Sequence, residues 1–264
     1  MSPGSSASFA SISANSGSAG CSFSAQAEAG GGYAAIVGVA GSTQSNSSIF
    51  AEAEWSASVP ITGPANYSGG PVEVRVLYAL SYLSFISLGS DDVNNGSALI
   101  DWLARFDTSV SRGGNTPNAI QLRNRRQVFE MDDVVNQNDG DSSVYATPWF
   151  TVTPQDFISL SISIGATVQA LHPGALARAE FNANNTASLA VTGAAFEFQS
   201  IGGSPVDGFF VNSPENNIFN NSWVDPRDEN DDPPRSVPIA ASLPLFLCGL
   251  AMLAMVGRLR RRAL

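Results

Sequence analysis

In most segments between residues 9 and 198 the apolar side chains recur at every second position, and that dominant period governs what this chain can fold into. A period of two sets neighbours on opposite faces of a strand, whereas a helix needs 3.6. Residues 9–14 alternate Ser with Phe, Ala and Ile, and residues 21–28 repeat the pattern as CSFSAQAE. In residues 49–59, Phe50, Glu52 and Glu54 point one way and Ala51, Ala53 and Trp55 the other. Residues 71–88 set Val72, Val74 and Val76 against Glu73 and Arg75, and residues 145–152, 157–168, 177–182 and 187–198 continue the alternation. Turn-forming clusters separate them: Gly30-Gly31-Gly32, Ser68-Gly69-Gly70, Asn94-Asn95-Gly96, Gly113-Gly114-Asn115, Asn138-Asp139-Gly140-Asp141 and Pro173-Gly174. About ten short strands with regular turns predict an all-β, antiparallel β-sandwich of jelly-roll-like kind, one face dry and one wet. Residues 97–106 fit both periods; the strands around them favour a strand.

The C-terminus follows a different rule. Residues 237–257 are uncharged and largely apolar, and Arg258, Arg260, Arg261 and Arg262 follow at once. Twenty-one residues at about 1.5 Å each make roughly 31 Å of helix, enough to cross the hydrocarbon core. Short arginine-rich flanks stay on the cytoplasmic side, so residues 1–222 are expected to face outward. Between the two, residues 223–236 include VDPRDENDDPPR, five carboxylates and three prolines with almost nothing apolar. That composition predicts an extended acidic linker. The expected organisation is a β-sandwich ectodomain over 1–222, the linker over 223–236, a transmembrane helix over 237–257 and a basic cytoplasmic tail over 258–264.

Val237, Pro238, Ile239, Ala240 and Ala241, the apolar run and the terminal arginines together resemble the PEP-CTERM/VPLPA-CTERM family of bacterial sorting tails. Val237, Pro238 and Ala241 match, Ile239 stands for leucine, and Ala240 takes the place of the usual second proline. The resemblance implies recognition of 237–241 by an exosortase-type processing enzyme, a temporary membrane stop, and retention by Arg258, Arg260, Arg261 and Arg262. It further implies a bacterial surface or secreted protein associated with exopolysaccharide or biofilm matrix. Residues 155–198, with their Ala-rich strands and Phe181-Asn182, are similar to the last strands of many ectodomains in that family. Residues 1–20 carry no basic start and no apolar run, so the export signal is expected upstream of Met1.

Charge narrows the partners. The chain has no lysine; nine arginines outside the tail face 23 carboxylates, a net of −14 there. Nucleic acid needs clustered cations and is not an expected partner. Cys21 falls in the outward part and Cys248 in the membrane run, so no disulfide between them is expected. The single histidine, His172, sits in the turn sequence Leu-His-Pro-Gly and lacks a nucleophile elbow for a triad. Glu130 and Asp132 share a strand face and resemble part of the E-x-D-x-x-E pattern of laminarinase-like hydrolases, but the third glutamate is missing. Arg123, Arg125 and Arg126 beside them equally suit a cross-strand ion-pair ladder.

Two acidic turns offer hard oxygens for calcium. One comprises Asp132, Asp133, Asp139 and Asp141 with Asn136 and Asn138; the other comprises Asp91, Asp92, Asn94 and Asn95. Neither has EF-hand spacing. The function expected from the residues is therefore non-enzymatic. The alternatives are a membrane-anchored carbohydrate-binding module or a matrix glycosidase using Glu130 and Asp132. Aromatics exposed on an open sheet favour binding, and a carboxylate pair at the floor of a cleft favours hydrolysis.

If the tail is processed, mass spectrometry of the surface form will find a C-terminus within residues 237–241. Pro238 keeps Val237 out of helix, as a protease requires. Replacing the four arginines by Ser should weaken retention, since each costs about 2.5–3.5 kcal/mol to bring to the bilayer centre. An intact end at Leu264 in the surface form would make this a permanent anchor.

Overall fold

The computed structural model describes residues 6–16, 21–42, 46–88, 97–110, 118–129, 135–171, 177–182, 187–191 and 193–227. Thirteen strands build the body: β1 (Ser6–Ser16), β2 (Cys21–Gly30), β3 (Tyr33–Ser42), β4 (Ser47–Thr62), β5 (Val72–Leu88), β6 (Ser97–Val110), β7 (Asn118–Phe129), β8 (Val135–Ala146), β9 (Phe150–Val152), β10 (Phe157–Leu171), β11 (Ala177–Asn182), β12 (Ala187–Leu189) and β13 (Phe196–Gln199). One sheet runs β1-β4-β10-β6-β7. In the other, β2 pairs β3, and β5 is flanked on one side by β11, β12 and β13 and on the other by β8 and β9. β3 completes the sheet by pairing β11 and β12. Every pairing is antiparallel, and the sheets pack face to face, β3 against β4 and β10, β5 against β6. The chain is an all-β antiparallel sandwich.

Residues 97–106 are strand, as their surroundings favour: β6 pairs β10 along its whole length. Two expected strands are each split. Thr147-Pro148-Trp149 interrupts residues 145–152, because Pro148 has no N–H to give a ladder. Thr147 spans the break, its N–H donating to the Val76 carbonyl (2.9 Å) and its Oγ1 accepting from the Val76 N–H (3.0 Å). Within 187–198, Gly193 at φ +89° breaks β12 from β13. One expectation is overturned: residues 138–141 are not a turn but the middle of β8, with Asp139 opposite Ser84 and Asp141 opposite Tyr82.

Inward side chains fill the gap in layers, large beside small. Trp55 on β4, Ile162 on β10 and Phe106 on β6 stand abreast. The next layer is Ala53, Ile164 and Ala104, and the one after it Ala51, Ala166 and Trp102. From the opposite sheet Tyr78 stacks on Phe106 with centroids 4.7 Å apart, and Tyr82 tilts against Trp102 at 4.5 Å. Tyr78 and Thr108 share a buried hydroxyl hydrogen bond of 2.6 Å. Burial pushes the Tyr78 phenol well above the usual tyrosine range, so it stays neutral and the bond intact.

The far end of the sandwich is closed by short elements. β14 (Phe210–Val211) pairs β4, and β15 (Ile218–Phe219) and β16 (Ser222–Trp223) form a hairpin. Its turn residues Asn220 and Asn221 both have positive φ, as a two-residue primed turn requires. Asn221 joins three segments: its Oδ1 accepts from the Val211 N–H, its Nδ2 donates to the Phe209 carbonyl, and its own carbonyl accepts from Ala195 and Phe196. Trp223 is buried, and its indole N–H donates to the Gly31 carbonyl at 2.5 Å. Order therefore continues past residue 222, and the compact unit is Met1–Pro226. Of the second unit, Arg227–Leu264, all but Arg227 lies outside the described residues. Among the described residues no helix is long and apolar enough to cross a membrane.

Gly32 has φ +101°, and a Cβ there would fall 2.2 Å from the Trp223 indole nitrogen. Gly32→Ala should therefore cost at least about 2 kcal/mol through strain and displacement of the ring. Gly30→Ala, which meets nothing within 4 Å, should stay within about 1 kcal/mol of the parent. Denaturant midpoints of the two variants check both.

Candidate functional site

The tail residues Val237, Pro238, Ile239, Ala240 and Ala241 and the arginines Arg258, Arg260, Arg261 and Arg262 lie outside the described residues. So do Glu130, Asp132, Asp133, His172 and the 91–95 cluster. Of the four carboxylates considered for calcium, Asp139 and Asp141 are described, two apart on β8 and so on one face. They border an open depression of about 550 Å³ with Tyr82, Leu83, Gly140 and Ser142. Asp141 is turned to its own neighbours: Oδ1 accepts from the Ser142 N–H and Oδ2 from the Ser143 hydroxyl, both at 2.8 Å. Calcium takes six to eight hard oxygens; among the described residues no group of three or more acidic, His or Cys side chains is placed to hold a metal.

The outward face of the β1-β4-β10-β6-β7 sheet is more distinctive. The register sets Ser159, Ser161 and Ser163 of β10 in a row beside Ser58, Ser56 and Glu54 of β4. Glu52 lies next along β4, opposite Gly165, and the Phe50 ring leans over that glycine. A Cβ at Gly165 would lie 3.9 Å from the ring, an ordinary van der Waals contact, so the aromatic rests against this point of β10. Phe50 remains 39% exposed, and Phe9 of β1, paired with Glu54, is 54% exposed on the same face. Four residues and one strand apart, their backbones are roughly 14 Å from each other. The two aromatic surfaces thus stand on either side of Glu52, the serine row runs on from Glu54 away from Phe50 to the buried Ser58, and the Ser161 hydroxyl donates to Glu54 at 3.3 Å.

At the other side of this face the charges are paired. Arg123 on β7 forks onto Asp101 on β6, Nε to Oδ1 at 3.1 Å and Nη2 to Oδ2 at 2.7 Å. Arg105 pairs Asp107 at 2.6 Å. The ladder expected between the arginines and Glu130, Asp132 and Asp133 lies outside the described residues on its acidic side; Arg123 instead pairs Asp101. Hydrogen bonding from Arg123 holds the Asp101 carboxyl below the usual aspartate range, aided by the charges of Arg123 and Arg125. The strand alternation already put Phe50 on the outer face with Glu52 and Glu54. The Tyr82–Trp102–Phe181 cluster behind the depression was hidden, because it joins residues of three separate strands across both sheets.

No family model matches the chain, and no curated protein matches it. Among solved structures, the chain has a match to TmCBM61 in complex with β-1,4-galactotriose. That match has 9% identity and covers 72% of this chain and 88% of that chain, with a TM-score of 0.16. At that score the likeness shows no shared fold.

Arg123 is exposed and Asp101 only part-buried, so solvent screens the pair and its contribution to stability is small. Because the folded-state pKa of Asp101 is depressed, its contribution is present above the unfolded aspartate value near 3.9. The contribution is lost as pH falls through the folded value. Asp101→Asn should lower stability slightly at pH 7 and match the parent once the parent's Asp101 is protonated. Unfolding curves at pH 7 and near pH 2 test the convergence.

Proposed function

We propose that this chain is a non-enzymatic bacterial surface protein, delivered outward, sorted by its C-terminal tail, and associated with a polysaccharide matrix through the outer face of the β1-β4-β10-β6-β7 sheet. In this reading, the strands follow a jelly-roll-like order, β4-β10-β6-β7 against β3-β11-β5-β8. Residues 237–257 hold the precursor in the inner membrane until an exosortase-type enzyme acts at 237–241. The observation that carries the binding role is the pair of exposed rings, Phe9 and Phe50, on an open face rich in hydroxyls.

The chemistry suits a neutral sugar polymer. Aromatic faces accept the apolar faces of sugar rings, and serine hydroxyls and the Glu52 and Glu54 carboxylates accept or donate hydrogen bonds to sugar hydroxyls. An open sheet face accommodates a long chain, where a cleft would select an end. The outward part's net charge of −14 disfavours anionic polymers.

Affinity electrophoresis of the full chain in detergent, through gels holding defined neutral polysaccharides, tests this reading. At least one polymer should retard the parent, and the Phe9→Ala, Phe50→Ala double variant should bind about tenfold more weakly with unchanged circular dichroism. A tenfold loss corresponds to about 1.4 kcal/mol, reasonable for two rings at a wet surface. Equal retardation of parent and double variant, or retardation by no polymer, overturns the binding face.

A further inference from the structure

We infer that β1 is a self-association edge, through which two copies of this chain join their β1-β4-β10-β6-β7 sheets by antiparallel β1–β1 pairing. β1 ends its sheet: it pairs β4 through eleven residues and pairs no other strand among the described residues. Its sequence, SASFASISANS, has no charge and no proline. Edge strands are ordinarily protected from pairing by such residues, lysine above all, and this chain contains no lysine. Both faces of β1 are open, with Phe9 54% exposed on one and Ile12 49% exposed on the other. Beside it, at the same end of the sandwich, Phe23 of β2 is 50% exposed.

A second copy fits this edge better than the others. A two-fold axis at Ser11 sets Ser11 against its counterpart, Phe9 against Ser13, and Ile12 against Ala10. Large residues then meet small ones on both faces, and no charge opposes a like charge. The same operation at β7 would bring together strands carrying Arg123, Arg125 and Arg126, and at β8 strands carrying Asp139 and Asp141. The β2 edge carries Glu28. Complementarity with itself is therefore a property of β1. Pairing there would also run the two outer faces into one surface bearing four exposed phenylalanines, so a polymer would meet two sites at once. The association itself does not depend on that polymer.

The test uses the full chain in detergent micelles, in a background with Cys21→Ser and Cys248→Ser. Sedimentation should show a concentration-dependent dimer that Ile12→Lys weakens at least tenfold, whereas Phe219→Lys, at an exposed position elsewhere, leaves it unchanged. Ser11→Cys should form an intermolecular disulfide under mild oxidation. Ser8→Cys should not, since its two copies would lie roughly 20 Å apart in this register. Single chains at about 100 µM, a dimer indifferent to Ile12→Lys, or equal cross-linking at positions 8 and 11 would overturn the inference. Polysaccharide retardation of the Ile12→Lys monomer separates this result from the binding role.

Discussion

Everything in this molecule depends on filling one gap, about 10 Å deep, between two sheets whose spacing is fixed by their side chains. The fill is achieved by compensation across strands. Trp102 has Ala166 beside it and Ala51 beyond; Trp55 and Phe106 flank Ile162; the layer between them is Ala53, Ile164 and Ala104. The alanine-rich composition of these strands, which in isolation looks like low complexity, supplies the small partners that three large rings require. Tyr78 then adds direction to an otherwise oily interface. Its hydroxyl is satisfied inside the core by Thr108 at 2.6 Å and more distantly by the Asp107 carbonyl at 3.4 Å, and burying it without a partner would cost on the order of 1–3 kcal/mol. A sheet slipped by two residues would keep the apolar pattern and lose this bond, so the pair fixes register where hydrophobicity alone does not.

Much of this was legible in the order of residues, and the failures have physical causes. Residues 49–59 alternate cleanly because one face of β4 is wet and the other dry. β3 was invisible to the same test, since Tyr33, Ala34, Ala35 and Ile36 are all buried and leave no alternation to detect. β7, NAIQLRNRRQVF, hid for the opposite reason: Arg123, Arg125 and Arg126 break the apolar alternation of its sequence, which an edge strand tolerates. Asn138-Asp139-Gly140-Asp141 has the composition of a turn, yet pairing with β5 over twelve residues overrides that local preference. The proposed C-terminal sorting signature, by contrast, rests on sequence order and charge alone and lies outside the described residues.

The candidate site divides the same way. Phe50 could be placed on a face with Glu52 and Glu54 from the pattern alone, because a strand's two faces are read directly from parity; the face of Phe9 came with its pairing to Glu54. What parity cannot give is which strands lie side by side, so the serine row of β10 beside Glu54, and Asp101 as the partner of Arg123, emerged only with the sheet order. Gly165 is a case in point. Nothing in the sequence sets it beside Phe50; the register places it opposite Glu52, next to the Phe50 ring.

The closing hairpin has a mechanical side. The chain leaves the compact unit at Pro226, three residues beyond Trp223, and Trp223 is bonded to the Gly31 turn at the opposite end of the sequence. Tension applied beyond Pro226 would thus enter the sandwich through a buried indole seated on Gly32, with Asn221 holding the same hairpin to Phe209, Val211, Ala195 and Phe196. A tug on the tail is spread over several strands before any one ladder has to open, so the last turn of the domain works as a strain relief, as a knot does where a cable leaves its housing.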